Sequence, residues 1–332
     1  MFNLNYITST KEENDILNRL APGYIQYSEM ALVEREFLNA LILRAKPKKV
    51  LEIGVSSGAS SVIIANALKE TGGELYSIDL KHEYWPDPSK PCGFIMGEYP
   101  DLQNNRKQYL GGIACNFIDE IGDGIDFAFI DTPHVFPGEL LDFLMVYPHL
   151  SPKATVVFHD TSLNLILGFD DVYMEKCVVT GTLCSAITGE KYQPLLDYEK
   201  KYSGVSSPNI TAIKFTPETG QRLWEVFNLL VHTWEYSLSE EDLALLVRHF
   251  EKWYPKDAVE FFKRINDFQN HNFVRRWKSS QPKEAETVIP PHKITRFHYN
   301  RYRLLSKITF RKLREKYNEK RIALKKLLME KE

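Results

Sequence analysis

KKVLEIGVSSGAS, residues 48–60, is an apolar run that breaks at two glycines and leads straight into small residues suited to start a helix. The run predicts a buried strand, and Ala59 to Glu70 predicts the helix after it. A second strand, ELYSIDL (74–80), follows, so the order is strand, helix, strand. Two parallel strands joined through a helix form the unit of a sheet covered on both faces. Gly54-Val55-Ser56-Ser57-Gly58 then lies just beyond the carboxyl end of a strand, where open sheets of this kind bind ligands. The spacing is GxxxG, so the dinucleotide fingerprint GxGxxG is not met, which disfavours a nicotinamide-dependent oxidoreductase.

Outward from this unit the alternation continues. IDFAFID (125–131) and ATVVFHD (154–160) predict two more buried strands with a helix at 138–147 between them, and NITAIKF (209–215) predicts a last one. A weaker strand is expected near Lys107–Leu110, leading through Gly111-Gly112 into a short helix. Residues 82–106 hold Pro86, Pro88, Pro91 and Pro100 and predict an irregular loop, whose Tyr84, Trp85 and Phe94 either line a pocket or pack. Before the first strand, Thr10 with Glu13 reads as a capping box, and Ser28 to Ala45 as a helix closed by Pro47. After Pro217 the pattern turns helical. The expected division is a helical cap (1–45), an α/β core (46–216), a helical extension (217–277), a polar linker (278–292) and a basic amphipathic helix (293–332).

Composition bounds the function. With 332 residues, 43% hydrophobic and 26% charged, the chain is a folded protein. No apolar run approaches the roughly 20 residues of a membrane span, and the N-terminus lacks the regions of a signal peptide, so a cytoplasmic protein is expected. Cys92, Cys115, Cys177 and Cys184 form no CxxC pair and read as free thiols. The net charge of −2 hides an asymmetry: residues 293–332 carry 14 Lys and Arg against 4 Asp and Glu, leaving 28 against 40 in the body. Such a basic helix suits an anionic membrane surface, with a solvated or self-associating helix as the alternative. The acidic body argues against a nucleic-acid substrate.

Chemistry concentrates at strand ends. Asp79, 25 residues after Gly54, can accept both hydroxyls of a ribose, and Glu52 beside the turn can orient an ammonium or the loop itself. Asp131 with His134, and His159 with Asp160, stand at the ends of two strands that would be neighbours. Their carboxylates suit a hard divalent cation, and their imidazoles suit proton removal near neutral pH.

VLEIGVSSGAS (50–60), YSIDL (76–80), FIDTPH (129–134) and VVFHDTS (156–162) together resemble the consecutive motifs of class I S-adenosylmethionine-dependent methyltransferases. They are most similar to the small-molecule O-methyltransferase branch known as methyltransferase family 24, related to catechol and macrolide-sugar enzymes. The resemblance covers about residues 28–216. It implies a Rossmann-like, doubly wound, mainly parallel sheet with helical N- and C-terminal extensions. It also implies S-adenosylmethionine held by Glu52, Gly54, Ser56 and Gly58 at the methionine end, by Asp79 at the ribose and by Gly112 beside the adenine. His159, Asp160 and His134 would be catalytic, with Asp131 and Asp160 as ligands of a divalent cation such as Mg2+. Metal-dependent relatives usually carry an acidic or amide pair at the second strand end; here the residues are His159-Asp160-Thr161, and Thr132-Pro133 follows Asp131. The implied reaction methylates a hydroxyl of a saccharide or other small molecule, at the inner face of the membrane if the basic helix docks there, with self-association through that helix left open. The alternative is a non-catalytic binding or scaffold protein that keeps this fold and attaches to a membrane or glycan-synthesis complex.

Overall fold

A computed structural model of the chain describes residues 4–166, 176–195 and 209–280. The strands are β1 (Leu4–Ile7), β2 (Lys49–Ile53), β3 (Glu74–Asp79), β4 (Arg106–Leu110), β5 (Ile125–Ile130), β6 (Leu150–His159), β7 (Glu190–Pro194) and β8 (Ile210–Lys214). They form one sheet in the order β1-β7-β8-β6-β5-β2-β3-β4. Strands β4, β3, β2, β5 and β6 run parallel, whereas β8 is antiparallel to both β6 and β7. The expected mainly parallel α/β sheet is therefore present. Its direction of travel reverses between β2 and β5, and at such a reversal the carboxyl ends of two strands leave a crevice.

Alternation along each strand separates two packed faces. Phe127 and Phe129 of β5 join Val50 of β2 and Val157 of β6 in a core with α2 (Leu32–Ala45) and α3 (Ala59–Thr71). Phe158 of β6 points the other way, onto Phe143 of α5 (Gly138–Val146), ring centroids 6.0 Å apart. All of these side chains are buried, and each removes roughly 1.5–3 kcal/mol worth of apolar surface from water. Helix α1 (Lys11–Asn18) starts at the expected Thr10–Glu13 capping box. Glu13 continues to Arg44 at the end of α2, at 2.6 Å, which fastens the two helices together.

Several expectations need correcting. The N-terminal cap is not wholly helical, because β1 lies at the sheet edge, parallel to β7. Neither strand was anticipated: LNYI and EKYQP are short and carry no decisive apolar pattern. Helix α2 begins at Leu32 rather than Ser28, since Pro22–Tyr27 form a 3-10 turn and Glu34 caps the amide of Ala31. Loop 82–106 contains two further 3-10 turns, Phe94–Glu98 and Pro100–Leu102, and buries Ile95, Met96, Tyr99 and Leu102.

The chain divides into two compact units, the first reaching Val231 and the second containing the chain from His232 onward. The short helices at Pro217–Gln221 and Leu223–Asn228, assigned by sequence to the extension, thus belong with the sheet. The second unit holds the helix Glu240–Trp253, capped by Ser239 as expected, and the helix Lys256–Ser280, with Phe250 and Phe262 packed between them. The latter helix takes in the first three residues of the anticipated linker. The rest of the linker and the basic helix 293–332 lie outside the described residues. No helix among the described residues is long and apolar enough to cross a membrane.

Candidate active site

The glycine turn is built by close approach of backbones. Gly54 has φ +94°, and a Cβ there would fall 1.8 Å from the carbonyl oxygen of Asp131, so β2 and β5 meet at their carboxyl ends only because position 54 has no side chain. Gly58, at φ +92°, faces Gly93 of loop 82–106. That loop covers the turn through Gly93 N–H to Ser56 O at 2.9 Å and Ile95 N–H to Ser57 O at 3.1 Å.

Asp79 reaches back to the same turn. Its Oδ2 accepts from the amides of Val55 at 2.9 Å and Ser56 at 3.0 Å, and its Oδ1 from the amide of Lys81 at 2.8 Å. Ser56 takes a left-handed φ of +51°, which helps two successive amides converge on one oxygen. The Cys92 thiol also lies against this carboxylate, and burial with the Asp79 charge pushes the thiol far up from its ordinary range. Gly112 is buried beside Asn116, whose Oδ1 accepts from the amide of Ile113 at 2.9 Å. It lies beyond β4, the strand next to β3.

Glu52 is different from what was expected of a ligand-binding group. It is fully buried and accepts from the hydroxyls of Ser60 at 2.6 Å, Ser61 at 2.6 Å and Ser77 at 2.7 Å. Burial raises its pKa, and the three hydroxyls pull it partly back. Of the two sequence readings, the structure supports the one in which Glu52 orients the turn, by joining the start of α3 to β3.

At the neighbouring strand ends the four predicted residues do meet. His134 Nε2 lies 2.8 Å from Asp160 Oδ2 and 3.9 Å from Asp131 Oδ1. His159 Nδ1 lies 3.4 Å from Asp131 Oδ2 and 3.5 Å from Asp160 Oδ1. Asp160 has φ +57°, a left-handed conformation that aspartate tolerates better than most side chains. Each imidazole is also held from outside by a buried glutamate. His134 Nδ1 is 3.2 Å from Glu139, whose other oxygen accepts from the Thr180 hydroxyl, and His159 Nε2 is 3.3 Å from Glu34.

These contacts set the charges. For both histidines burial favours the neutral ring, but the surrounding carboxylates outweigh it and hold the pKa well above the ordinary value. Burial acts on Asp160 in the opposite sense, and the His159 and His134 rings with the Asn209 amide overcome it, keeping the carboxyl well below the usual range. His159 is only 1% exposed and meets carboxylates on both sides. Nδ1 stands between Asp131 and Asp160 and Nε2 stands against Glu34, so carboxylates line both sides of a buried ring, which disfavours its expected part as a base. The ring lies where its charge can balance those of Asp131 and Asp160.

Sequence reasoning missed four contributors. Glu34 looks like an ordinary first-turn cap, and Glu139 like a first-turn acid of α5. Asn209, whose amide donates to Asp160 Oδ1 at 2.6 Å, is 49 residues away and is brought there by β8 running antiparallel to β6. Glu29 lies at the surface within the field of Asp131 and Asp160; desolvation and those two charges push its carboxyl up. The only advance signal is an acidic residue in a helix's first turn, which is too common to single out.

The donor set fits a divalent cation. Asp131, His134 and Asp160 each offer one ligand atom within 4.8 Å of the others. Glu139 behind His134 is the carboxylate partner that metal-binding imidazoles commonly have, and it directs Nε2 inward once Nδ1 carries the proton.

No curated protein matches the chain. Among solved structures, the O-methyltransferase TomG of Streptomyces achromogenes, involved in tomaymycin synthesis and solved with SAM, is 15% identical, covering 63% of this chain and 92% of its own, with a TM-score of 0.41. An SAH-complexed O-methyltransferase of Bacillus cereus gives 15%, 63%, 92% and 0.41. The SAH-bound methyltransferase PaMTH1 of Podospora anserina gives 15%, 64%, 99% and 0.43. Residues 51–161, the segment from β2 to just past Asp160, match the family model described as a methyltransferase domain.

Proposed function

We propose that the chain is an S-adenosylmethionine-dependent O-methyltransferase acting on a hydroxyl of a saccharide or other small molecule. The observation that carries this reading is the methyltransferase-domain match over 51–161, which contains the Gly54–Gly58 turn, Asp79 and the cluster at Asp131 and Asp160. In this reading the turn borders the methionine end of the cofactor, Gly112 borders the adenine and Asp79 receives the ribose. Asp79 would then trade a present partner, such as the Cys92 thiol, for a ribose hydroxyl.

The acceptor oxygen attacks the sulfonium methyl in line: an O–C bond forms, the S–C bond breaks and S-adenosylhomocysteine leaves. The acceptor proton passes to Nε2 of the neutral His134 ring, with Glu139 on Nδ1 holding the ring in place; a cation on Asp131 and Asp160 would offset the carboxylate charges that raise the His134 pKa and so favour that neutral form. Asp131 and Asp160 would hold a divalent cation such as Mg2+, which as a Lewis acid lowers the pKa of a bound hydroxyl. Alignment of two reactants can account for roughly 7–11 kcal/mol of such a barrier, so the acceptor walls count as much as the base. Tyr27, Tyr84 and Phe94 form one aromatic cluster, with centroids 4.9 Å apart for Tyr27–Phe94 and 5.2 Å for Tyr84–Phe94. Tyr84 feels the Glu29 charge, and Glu29 feels Asp131 and Asp160, which supports placing this cluster on the acceptor side. For residues 293–332 the proposal is a peripheral contact with an anionic membrane at its cytoplasmic face.

Calorimetric titration with S-adenosylhomocysteine and, separately, NAD, before and after EDTA, tests the reading. Binding of the homocysteine nucleoside alone is expected. Binding of neither would overturn it in favour of a non-catalytic binding or scaffold protein.

A further inference from the structure

Glu34 does more than cap α2. Both it and His159 are 1% exposed, and Glu34 Oε2 is shared between the amide of Ala31, at 2.6 Å, and His159 Nε2, at 3.3 Å. Its other oxygen has no hydrogen-bond partner among the described residues. An acid whose single duty was to cap a helix would gain by facing water, since burying an ionised carboxylate is costly unless it is paired. On its far side the His159 ring places Nδ1 between Asp131 and Asp160 without a well-formed hydrogen bond to either, at 3.4 and 3.5 Å. The ring could therefore tilt toward one aspartate or the other, and the contact that opposes such a tilt is Glu34 on Nε2. Glu34 is 125 residues from His159 in sequence, so this contact also fastens the N-terminal helical segment to the end of β6.

We propose that Glu34 is a positioning residue that acts through His159 to hold Asp131 and Asp160 in the arrangement that receives a divalent cation. The inference rests on the cation reading of the site, and it concerns this chain's own residues rather than the transfer step. Partners behind metal ligands typically change metal affinity by 10–100-fold when lost, and Glu34, one step further out, belongs near the lower end.

The test is a double-mutant cycle read by calorimetric titration of the full chain with Mn2+: unmodified protein, E34Q, H159Q and E34Q/H159Q. Gln at position 34 keeps a carbonyl oxygen for the Ala31 amide, so the cap survives. Expected is an approximately tenfold weaker Mn2+ affinity in E34Q, with no further loss when E34Q is added to H159Q. Equal affinity in E34Q, or losses that simply add, overturn the proposal, because a purely structural role would act in both backgrounds. Should a single variant fail to fold, the double variant, which removes both buried charges together, keeps the comparison with the unmodified protein. If the unmodified protein takes up no Mn2+, the cation reading fails by itself. The Glu34 assignment is then decided by the side-chain carboxyl carbon resonances of Asp131 and Asp160: a change in E34Q supports it, and unchanged resonances overturn it.

Discussion

Substituting Gly54 by alanine should damage both the stability of the domain and its cation site. The new Cβ would lie 1.8 Å from Asp131 O, 2.8 Å from its carbonyl carbon and 3.3 Å from Thr132 Cγ2. To restore a contact near 3 Å the end of β5 must withdraw by about 1.2 Å, against the 2.9 Å bond from the Asp131 amide to Ile53 O. Forcing an L side chain to a left-handed φ costs about 1–2 kcal/mol. Overfilling a packed site costs about 1–3 kcal/mol more. The expected loss is therefore about 2–5 kcal/mol, a large part of the 5–15 kcal/mol that holds a typical domain together. Gly58→Ala provides the comparison: its φ of +92° is equally unfavourable, but the nearest atom is Gly93 Cα at 3.0 Å, so most of the overfilling cost is absent. Urea denaturation followed by circular dichroism should rank G54A below G58A by about 1–2 kcal/mol. Mn2+ affinity should fall in G54A with it, because Asp131 moves. If G54A matches G58A in stability, or keeps unmodified Mn2+ affinity, the reasoning that ties position 54 to Asp131 is wrong.

Other outcomes follow from the same geometry. Asp142, which accepts from the Thr132 hydroxyl at 2.6 Å, is pushed up to about 7 chiefly by burial. The folded state therefore keeps a proton that the unfolded chain loses near pH 3.8, and stability contributed by this group falls as pH rises toward 7, by at most about 4 kcal/mol. Asp142→Asn should flatten that slope, and identical pH dependence of the urea midpoint in both proteins would refute the shift. Asp79→Ala should weaken S-adenosylmethionine binding by about tenfold or more, measured calorimetrically; unchanged affinity would remove Asp79 from the ribose site. Deletion of 293–332 should abolish flotation with anionic vesicles, and equal flotation would reject the membrane contact.

The parts of the fold visible in the sequence are those whose physics is local. VLEI, LYSI, DFAFI and TVVF are apolar because both faces of those strands are covered, and each run ends at the residue that reaches the crevice. Asp79, Asp131, His134, His159 and Asp160 were accordingly legible as a set of strand ends. Their partners were not. Glu34 is chosen by a contact across 125 residues and Asn209 by an antiparallel pairing, and neither leaves a periodic mark in its own neighbourhood. For His159 the strand end is legible and the surroundings are not, because the charge of a histidine depends on which carboxylates enclose it. Glu52 is similar: the sequence leaves open whether it orients a ligand or the turn, and the three serine hydroxyls that favour the turn come from outside its own strand.

The strand β1 carries a consequence for how the chain is made. Asn5 donates to Lys191 O across a separation of 186 residues, so the edge partner of the first strand is among the last parts of the sheet to be synthesised. At about 5–20 residues per second, Leu4–Ile7 waits on the order of 10–40 s for its strand partner, with its ladder groups paired only to water. A bare strand of this kind is a template for any neighbouring nascent chain. The segment limits that exposure by its length of four residues and by Asn5 within it. Lengthening this strand with apolar residues would therefore lower the yield of soluble protein without touching the finished fold.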